Sequence, residues 1–156
     1  MLSIDPKEIA PSKLQGYLQS AVAPRPIAFA STMDRNGNPN LSPFSFFNVF
    51  SSNPPILIFS PARRVRDNTT KHTLINAQNT KEVVINVVNY DIVEQMSLSS
   101  TEYPDGVNEF EKAGFTMLKS DKVKPFRVAE SPVQFECKIN DVIALGAGSS
   151  VNIIVY

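Results

Sequence analysis

The sequence predicts a mainly β fold with short helices, in which the strands form a closed or partly closed β-barrel with helical insertions. Short apolar runs that are typical of strands outnumber the helical patterns along the chain. The clearest run is Val133 to Asn140, where Val, Phe, Cys and Ile alternate with Gln, Glu, Lys and Asn. This period of two places one face of a strand against a core. The polar turn at 34–38 contains Asn36-Gly37, which accepts the positive φ values of a tight hairpin.

Length and composition limit the possible functions. The 156 residues fit a single domain with a substantial core. Fifteen basic and fifteen acidic residues cancel, so the net charge gives no reason to expect a nucleic acid or a membrane surface as partner. We see no signal peptide at the start, and no apolar run approaches the ~20 residues of a membrane span. A single cysteine excludes an internal disulfide framework, and a cytoplasmic location is expected.

The first strand and hairpin lead into an aromatic segment. Ile27 to Thr32 has the pattern of a mostly buried strand, and the return strand begins near Leu41. Pro43 cannot donate to a sheet ladder, so pairing is expected to loosen there. The following segment, Ser45-Phe46-Phe47-Asn48, is expected to be a loop that offers flat apolar faces beside hydroxyl and amide groups. Such a segment could hold a planar ring with polar edges.

The remaining elements are short. Helices are predicted over 12–20 with Ser12 as cap, over 71–77 with Asn68, Thr69 and Thr70 as capping residues, over 92–99 with Asp91 as cap, and over 109–113, stopped by Gly114. Further strands are predicted over 56–59 (fully buried), 83–88, 115–117 and 151–156.

A single histidine and a single cysteine restrict side-chain chemistry. A histidine-rich or cysteine-cluster metal site is hard to build from them, and we predict no metal. Cys137 lies on the apolar face of its strand and is interpreted as a core residue. His72 could act as a general acid, but its position at a basic helix start favours a structural role.

Two basic features have open interpretations. Arg25 is held between Pro24 and Pro26, which keep the chain extended, so it forms either a surface or interface ion pair or a contact with an anionic or carbonyl-rich ligand. Between Arg63 and Lys81 the chain has five basic residues and one acid. This run is either a solvated face or an anion site.

An ordered set of motifs carries a resemblance to a known family. APRPIAFAST, DRNGNPNLSPFSFFN, NPPILIFSPARR, KHTLINA and EVVINVV occur in this order, and together they resemble the flavin reductase-like, FMN-binding split-barrel proteins. The resemblance covers roughly residue 20 to the C-terminus. It implies that 1–156 is a single flavin reductase-like domain with an FMN-binding split β-barrel of Greek-key type. Because family chains usually continue past the strand matching 151–156, this chain is expected to lack the family's C-terminal strand or strands.

The resemblance also implies a site. In the family, the segments matching 43–48 and 60–73 line the flavin, and the family's Lys-Asp-Thr reads Lys71-His72-Thr73 here. From the residue types, the basic run from Arg63 to Lys71 suits a phosphate, together with Ser60, Asn68, Thr69, Thr70 and Thr73, because arginine forks and a helix N-terminus bind anions. The 42–48 segment suits the ring and its pyrimidine edge. The candidate cofactor-binding residues are Pro43, Phe44, Ser45, Phe46, Phe47, Asn48, Ser60, Pro61, Arg63, Arg64, Lys71 and Thr73.

The function implied is an FMN-dependent oxidoreductase that transfers hydride or electrons from NADH or NADPH to flavin or another acceptor. No residue is assigned as catalytic, because the cofactors carry the reactivity. The chain has no G-x-G-x-x-G fingerprint, so the nicotinamide is expected to dock transiently on the flavin. Two alternatives are a flavoredoxin-like electron carrier without its own substrate and a structural domain that binds nothing. A homodimer is expected, with Phe46, Phe47 and Phe50 either at the subunit contact or in the core.

Overall fold

The computed structural model describes residues 3–61, 70–101, 103 and 106–145, and the backbone of 151–155. The helices are α1 (Pro11–Ala21), α2 (His72–Thr80), α3 (Val93–Leu98) and α4 (Glu109–Ala113), with a 3-10 turn at Tyr90–Ile92 before α3. The strands are β1 (Ala28–Met33), β2 (Pro39–Phe44), β3 (Phe47–Ser52), β4 (Pro55–Phe59), β5 (Glu82–Val87), β6 (Met117–Leu118), β7 (Arg127–Val128), β8 (Gln134–Ala144) and β9 (Val151–Val155). The mainly β fold with short helices is therefore confirmed.

Seven strands form one antiparallel sheet in the order β2-β1-β5-β8-β9-β4-β3, and β6 pairs with β7 separately. The long β8 pairs first with β5 and then with β9, and its register with β9 shifts between Ile139 and Asp141. Such a shift bends a strand and increases its twist. The described strands form an open sheet, not a closed barrel. Its two edge strands, β2 and β3, are joined directly by the bend at Ser45-Phe46.

The inner face of the curved sheet carries one hydrophobic core. Leu74 and Ala77 of α2 pack into it, so the helix fills the interior between the strands. Phe44 and Phe59 meet there with ring centroids 5.4 Å apart. Cys137 is 1% exposed in this core, and its burial raises the pKa of the thiol to about 12, with the charge of Glu136 as a secondary cause. The interpretation of Cys137 as a core residue is confirmed.

A second core covers the outer face of β1, β2 and β5. Residues of α3, α4 and the β6–β7 ribbon pack on Phe29, whose ring lies 5.2 Å from that of Phe115. Asn86 is fully buried in this layer. Its amide nitrogen donates to the carbonyl of Phe29, and its amide oxygen accepts from the backbone of Val128, both at 2.9 Å. Because both ends of the amide are bonded, the burial of this polar group is compensated.

Pairing does not loosen at Pro43, and that prediction is wrong. The ladder continues to the end of β2, with Pro43 opposite Phe29. The backbone N–H of Leu41 points away from β1 and donates to the Glu109 carboxylate at 3.2 Å. Because N–H directions alternate along a strand, Pro39 and Pro43 share the outward orientation of Leu41 and would not donate to β1 in any case.

Several predicted helix caps are also wrong. Helix α1 begins at Pro11, with Ala10 as N-cap and no side-chain cap, because proline suits the first helical position without one. The N-cap of α2 is Lys71; Asn68 and Thr69 lie outside the described residues. Asp91 lies within the 3-10 turn and does not cap α3. The stop of α4 at Gly114 is confirmed, since this residue has φ 73°.

The segment expected to be a loop after β2 is mostly strand. Only Ser45 and Phe46 form a bend, and β3 begins at Phe47 and pairs with β4. Strand β4 is not fully buried: Leu57 and Phe59 face the core, whereas Ile56 and Ile58 are half-buried. A short apolar run cannot by itself distinguish a strand that packs on both faces from one that packs on one. Among the described residues, no helix combines the length and the apolar character that a membrane span needs.

Candidate functional site

A crevice of about 430 Å³ lies where the two sheet edges meet, and we call it the bend crevice. One wall comes from the segment between α1 and β1, and the other from the bend and the start of β3. The amide of Ser60 donates to the carbonyl of Phe46 at 2.8 Å, which ties the end of β4 to the bend. The crevice is lined by Val22, Pro24, Arg25, Pro26, Ser45, Phe46, Phe47, Asn48, Phe50, Ile58 and Ser60.

Arg25 holds the two walls together. Its guanidinium donates to the carbonyl oxygens of Gln19 and Val22 at the end of α1, and its Nε lies 3.5 Å from Ser45 Oγ. Helix C-termini leave carbonyl groups unpaired, and a cation there is favourable. Among the described residues Arg25 contacts backbone carbonyl groups of the chain itself, a role that neither of the two open interpretations included.

Ser60 provides an unused polar group in the wall. Ser60 is 9% exposed, and its Oγ has no hydrogen-bond partner among the described residues. Leaving a buried hydroxyl unpaired costs roughly 1–3 kcal/mol, so such atoms in native structures call for an explanation. Phe46 and Phe50, 37% and 63% exposed, supply apolar surface at the same crevice. The arrangement suits a flat ligand with a polar edge.

Of the residues predicted to bind the phosphate, Lys71 and Thr73 lie beyond Phe44, on the other side of the bend, whereas Ser60 lies in the bend crevice. The Nζ atom of Lys71 lies 5.2 Å from the centre of the Phe44 ring. Lys71 and Thr73 line a small cavity together with Ser42. Thr73 is buried, and its hydroxyl accepts from the Asn40 amide at 3.0 Å. Arg63 and Arg64 lie outside the described residues.

The structure therefore places the candidate residues in two neighbouring groups. Residues 45–48 and Ser60 share the bend crevice, whereas Lys71 and Thr73 lie near Ser42. Phe44 is buried between the groups, Pro61 is buried after β4, and Pro43 lies on the outer face of β2. Since an extended chain rises about 3.4 Å per residue, Ser42 on β2 and Ser45 in the bend, three residues later, are at most roughly 10 Å apart. One elongated ligand could reach both groups.

A second, polar cavity was missed by the sequence analysis. It has a volume of about 410 Å³, and it lies along the free edge of β2 between α2 and the start of α4; we call it the β2-edge cavity. Glu109 and His72 line both this cavity and the small one beside Lys71. Burial raises the pKa of the Glu109 carboxyl, and the Leu41 amide and the charge of His72 offset part of that rise. No local motif predicted this juxtaposition, because its residues come from three distant segments.

The described residues fit a flavin. The bend crevice offers aromatic and aliphatic surface for a ring and an unpaired buried hydroxyl for its edge. The neighbouring group offers a lysine for a phosphate. Within the described ranges, no three His, Cys, Asp or Glu side chains are placed to hold a metal ion.

Comparison with known proteins agrees with the motifs. Residues 20–155 match the model of the flavin reductase like domain. An uncharacterised protein of Aquifex aeolicus is 44% identical over 133 residues, which are 85% of this chain and 67% of that protein. One from Halalkalibacterium halodurans is 37% identical over 93% of this chain and 69% of that protein. Matches in Deinococcus radiodurans and Bacillus subtilis extend over 58% of those proteins.

Solved structures share the fold almost completely. Nitrilotriacetate monooxygenase component B from Bacillus cereus superimposes with a TM-score of 0.94 at 28% identity, covering 99% of this chain and 78% of that chain. A split-barrel-domain protein of the flavin reductase kind from Shewanella frigidimarina gives 0.84 at 25% identity, covering 99% and 77%. The flavoredoxin of Desulfovibrio vulgaris, at 18% identity and a TM-score of 0.71, shows the fold alone. On the family-model match and these identities, the chain belongs to the flavin reductase-like family.

Proposed function

We propose that the protein is an FMN-binding oxidoreductase of the flavin reductase type, with NADH or NADPH as a transient reductant. The observation that carries the proposal is the bend crevice, which is lined both by aromatic side chains and by Ser60, whose buried hydroxyl has no partner among the residues that the structure describes. An isoalloxazine ring has the flat apolar faces and polar edge that such a site would complement. The family match supports the same ligand class.

In this proposal, the residues of the chain bind the flavin and orient its ring. Phe46 and the segment around Arg25 would hold the ring, and the Ser60 hydroxyl would donate to its polar edge. Lys71 and Thr73, beyond Phe44, would hold the phosphate. When bound, the flavin supplies hydride and electron transfer, so the protein needs neither a metal nor a catalytic triad for this chemistry.

The phosphate assignment predicts a ligand-specific effect of Lys71→Ala. Removing the cation should lower the affinity for FMN about tenfold or more. Charge-assisted hydrogen bonds to phosphate are about twice as strong as neutral ones, so their loss is costly. Riboflavin, which has the same ring but no phosphate, should bind both proteins equally. Fluorescence titration with both ligands measures this, and equal losses for FMN and riboflavin would contradict the assignment.

A homodimer is part of the proposal. Val49 and Phe50 on edge strand β3 are 62% and 63% exposed, beside the bend crevice. An edge strand with apolar side chains is a pairing surface unless another chain covers it. A second copy there would cover the aromatic wall and close the open side of the flavin site. Sedimentation of the wild type against Phe50→Glu tests the contact; an unchanged dimer in the variant would place the interface elsewhere.

Anaerobic mixing with NADH and with NADPH tests the reaction. We expect the absorbance of bound flavin to bleach, faster with one of the two nucleotides. The second candidate function, a flavin-binding electron carrier, is favoured by the exposure of Phe46 and Phe50, through which another redox protein could approach the ring. Bound flavin that resists both nucleotides but is bleached by dithionite would select the carrier over the reductase.

A further inference from the structure

Arg25 gives the bend crevice a positive charge. It is half-buried, and among the lining residues that the structure describes it is the one with a charged side chain. No carboxylate within the described ranges forms an ion pair with it. Because the guanidinium of arginine stays protonated at any ordinary pH, this charge is present whether the crevice is empty or filled.

The guanidinium is held in place and still has donors to offer. Its Nη1 donates to the carbonyls of Gln19 and Val22, and its Nε lies 3.5 Å from Ser45 Oγ. Its Nη2 donates to no residue that the structure describes. Since the end of α1 fixes the planar group, its charge keeps its position when a ligand beside it changes charge.

Reduction of a flavin is such a change of charge. In the proposed reaction the C4–H bond of the reduced nicotinamide breaks, its hydride forms a bond to N5 of the ring, and the oxidised nicotinamide leaves. At neutral pH the reduced ring then carries a negative charge at N1 and the C2 carbonyl oxygen. A hydrogen bond to a charged acceptor is roughly twice as strong as one to a neutral acceptor. A cation at this edge therefore binds the reduced ring more tightly than the oxidised ring.

We propose that Arg25 stabilises the negative charge that reduction places on the bound flavin, with Nη2 as donor to the N1 and C2 carbonyl edge of the ring. The inference rests on the proposed function and assigns a residue to its redox step. Arg25 also joins α1 to the bend, and this structural role affects the binding of oxidised and reduced flavin alike. The reduction potential of bound flavin separates the two roles, because it depends on the ratio of those two affinities.

Removal of the charge tests the inference. Arg25→Gln replaces the cation by a neutral polar side chain, and Arg35→Gln does the same at an exposed position of the β1–β2 hairpin, outside the crevice. Fluorescence titration gives the affinity for oxidised FMN, and anaerobic equilibration with a redox dye gives the potential of bound FMN. Arg25→Gln should weaken reduced FMN about tenfold more than oxidised FMN, which lowers the two-electron potential by about 30 mV. Arg35→Gln should keep the wild-type potential.

Arg25→Lys keeps the charge but loses the planar fork that contacts α1 and the bend. Both affinities should fall in this variant, whereas their ratio should stay within about twofold of the wild type. A ratio as low as that of Arg25→Gln would show that the charge is not the cause.

The wild type provides a test that needs no variant, because its bound FMN should be easier to reduce than free FMN. Bound FMN that is harder to reduce than free FMN overturns the inference. Equal potentials for the wild type and Arg25→Gln also overturn it, while the proposed function stands. If the wild type binds no FMN, both fall.

Discussion

Ser60→Ala separates the energetics of the ligand-free protein from those of the flavin complex. In the ligand-free protein, the Ser60 hydroxyl is buried and has no partner in the described part of the chain, so its removal relieves a desolvation cost of about 1–3 kcal/mol. We expect the midpoint of thermal unfolding of the variant to equal or exceed that of the wild type. In the complex, the same change removes a hydrogen bond worth about 1 kcal/mol, which is roughly fivefold in Kd.

Ser31 provides the control for this experiment. Its hydroxyl is also buried, with no partner within the described ranges, but Ser31 lies on β1 and does not line the bend crevice. Ser31→Ala should therefore reproduce the effect on unfolding and leave flavin affinity unchanged. Fluorescence titration and thermal unfolding of both variants give the four values needed. Equal flavin affinities for wild type and Ser60→Ala would refute the assignment of this hydroxyl to the ligand.

Three further predictions concern groups outside the crevice. Asn86→Ala leaves a buried carbonyl and a buried amide unpaired, so chemical denaturation should show a loss of at least about 2 kcal/mol in the free energy of unfolding; an unchanged midpoint would contradict the bonding. With its pKa raised to about 12, the Cys137 thiol should react with a thiol reagent at about pH 8 only after unfolding, and labelling of the native protein would refute its burial. Burial raises the pKa of Glu109 in the folded state, so the stability that its protonated form gives is present at low pH and lost as the pH rises through that pKa. Glu109→Gln, which keeps an acceptor for Leu41, should unfold at a higher temperature than the wild type at about pH 8 and at the same temperature near pH 4; a constant difference would show that charge is not the cause.

Local pattern predicted the elements of the fold well where one physical preference dominates. Asn36-Gly37 predicted the β1–β2 hairpin, and the alternation of apolar and polar residues around Cys137 predicted β8. Where the same residues suit two different local structures, the sequence did not predict which of the two forms. Pro43 is compatible with a ladder because its position faces away from β1, and that orientation depends on the register of the hairpin. Ser12 is a residue type that often caps helices, yet α1 begins one residue earlier, at Pro11, and has no side-chain cap.

The sequence predicted only those parts of the site that short local motifs provide. The motif at residues 45–48 and the position of Ser60 after β4 are visible in the chain, and the structure brings them to one crevice. The role of Arg25 was not predictable, because it depends on where α1 ends relative to the bend. The β2-edge cavity combines the hairpin, α2 and the start of α4, and only the packing of those elements shows it.

Equilibrium titration of the purified protein with FMN tests the central claim most directly. If the bend crevice holds the isoalloxazine ring beside aromatic side chains, flavin fluorescence should fall with a saturable dependence on protein concentration, at one flavin per chain. Fluorescence that stays proportional to total flavin at every protein concentration would contradict the account.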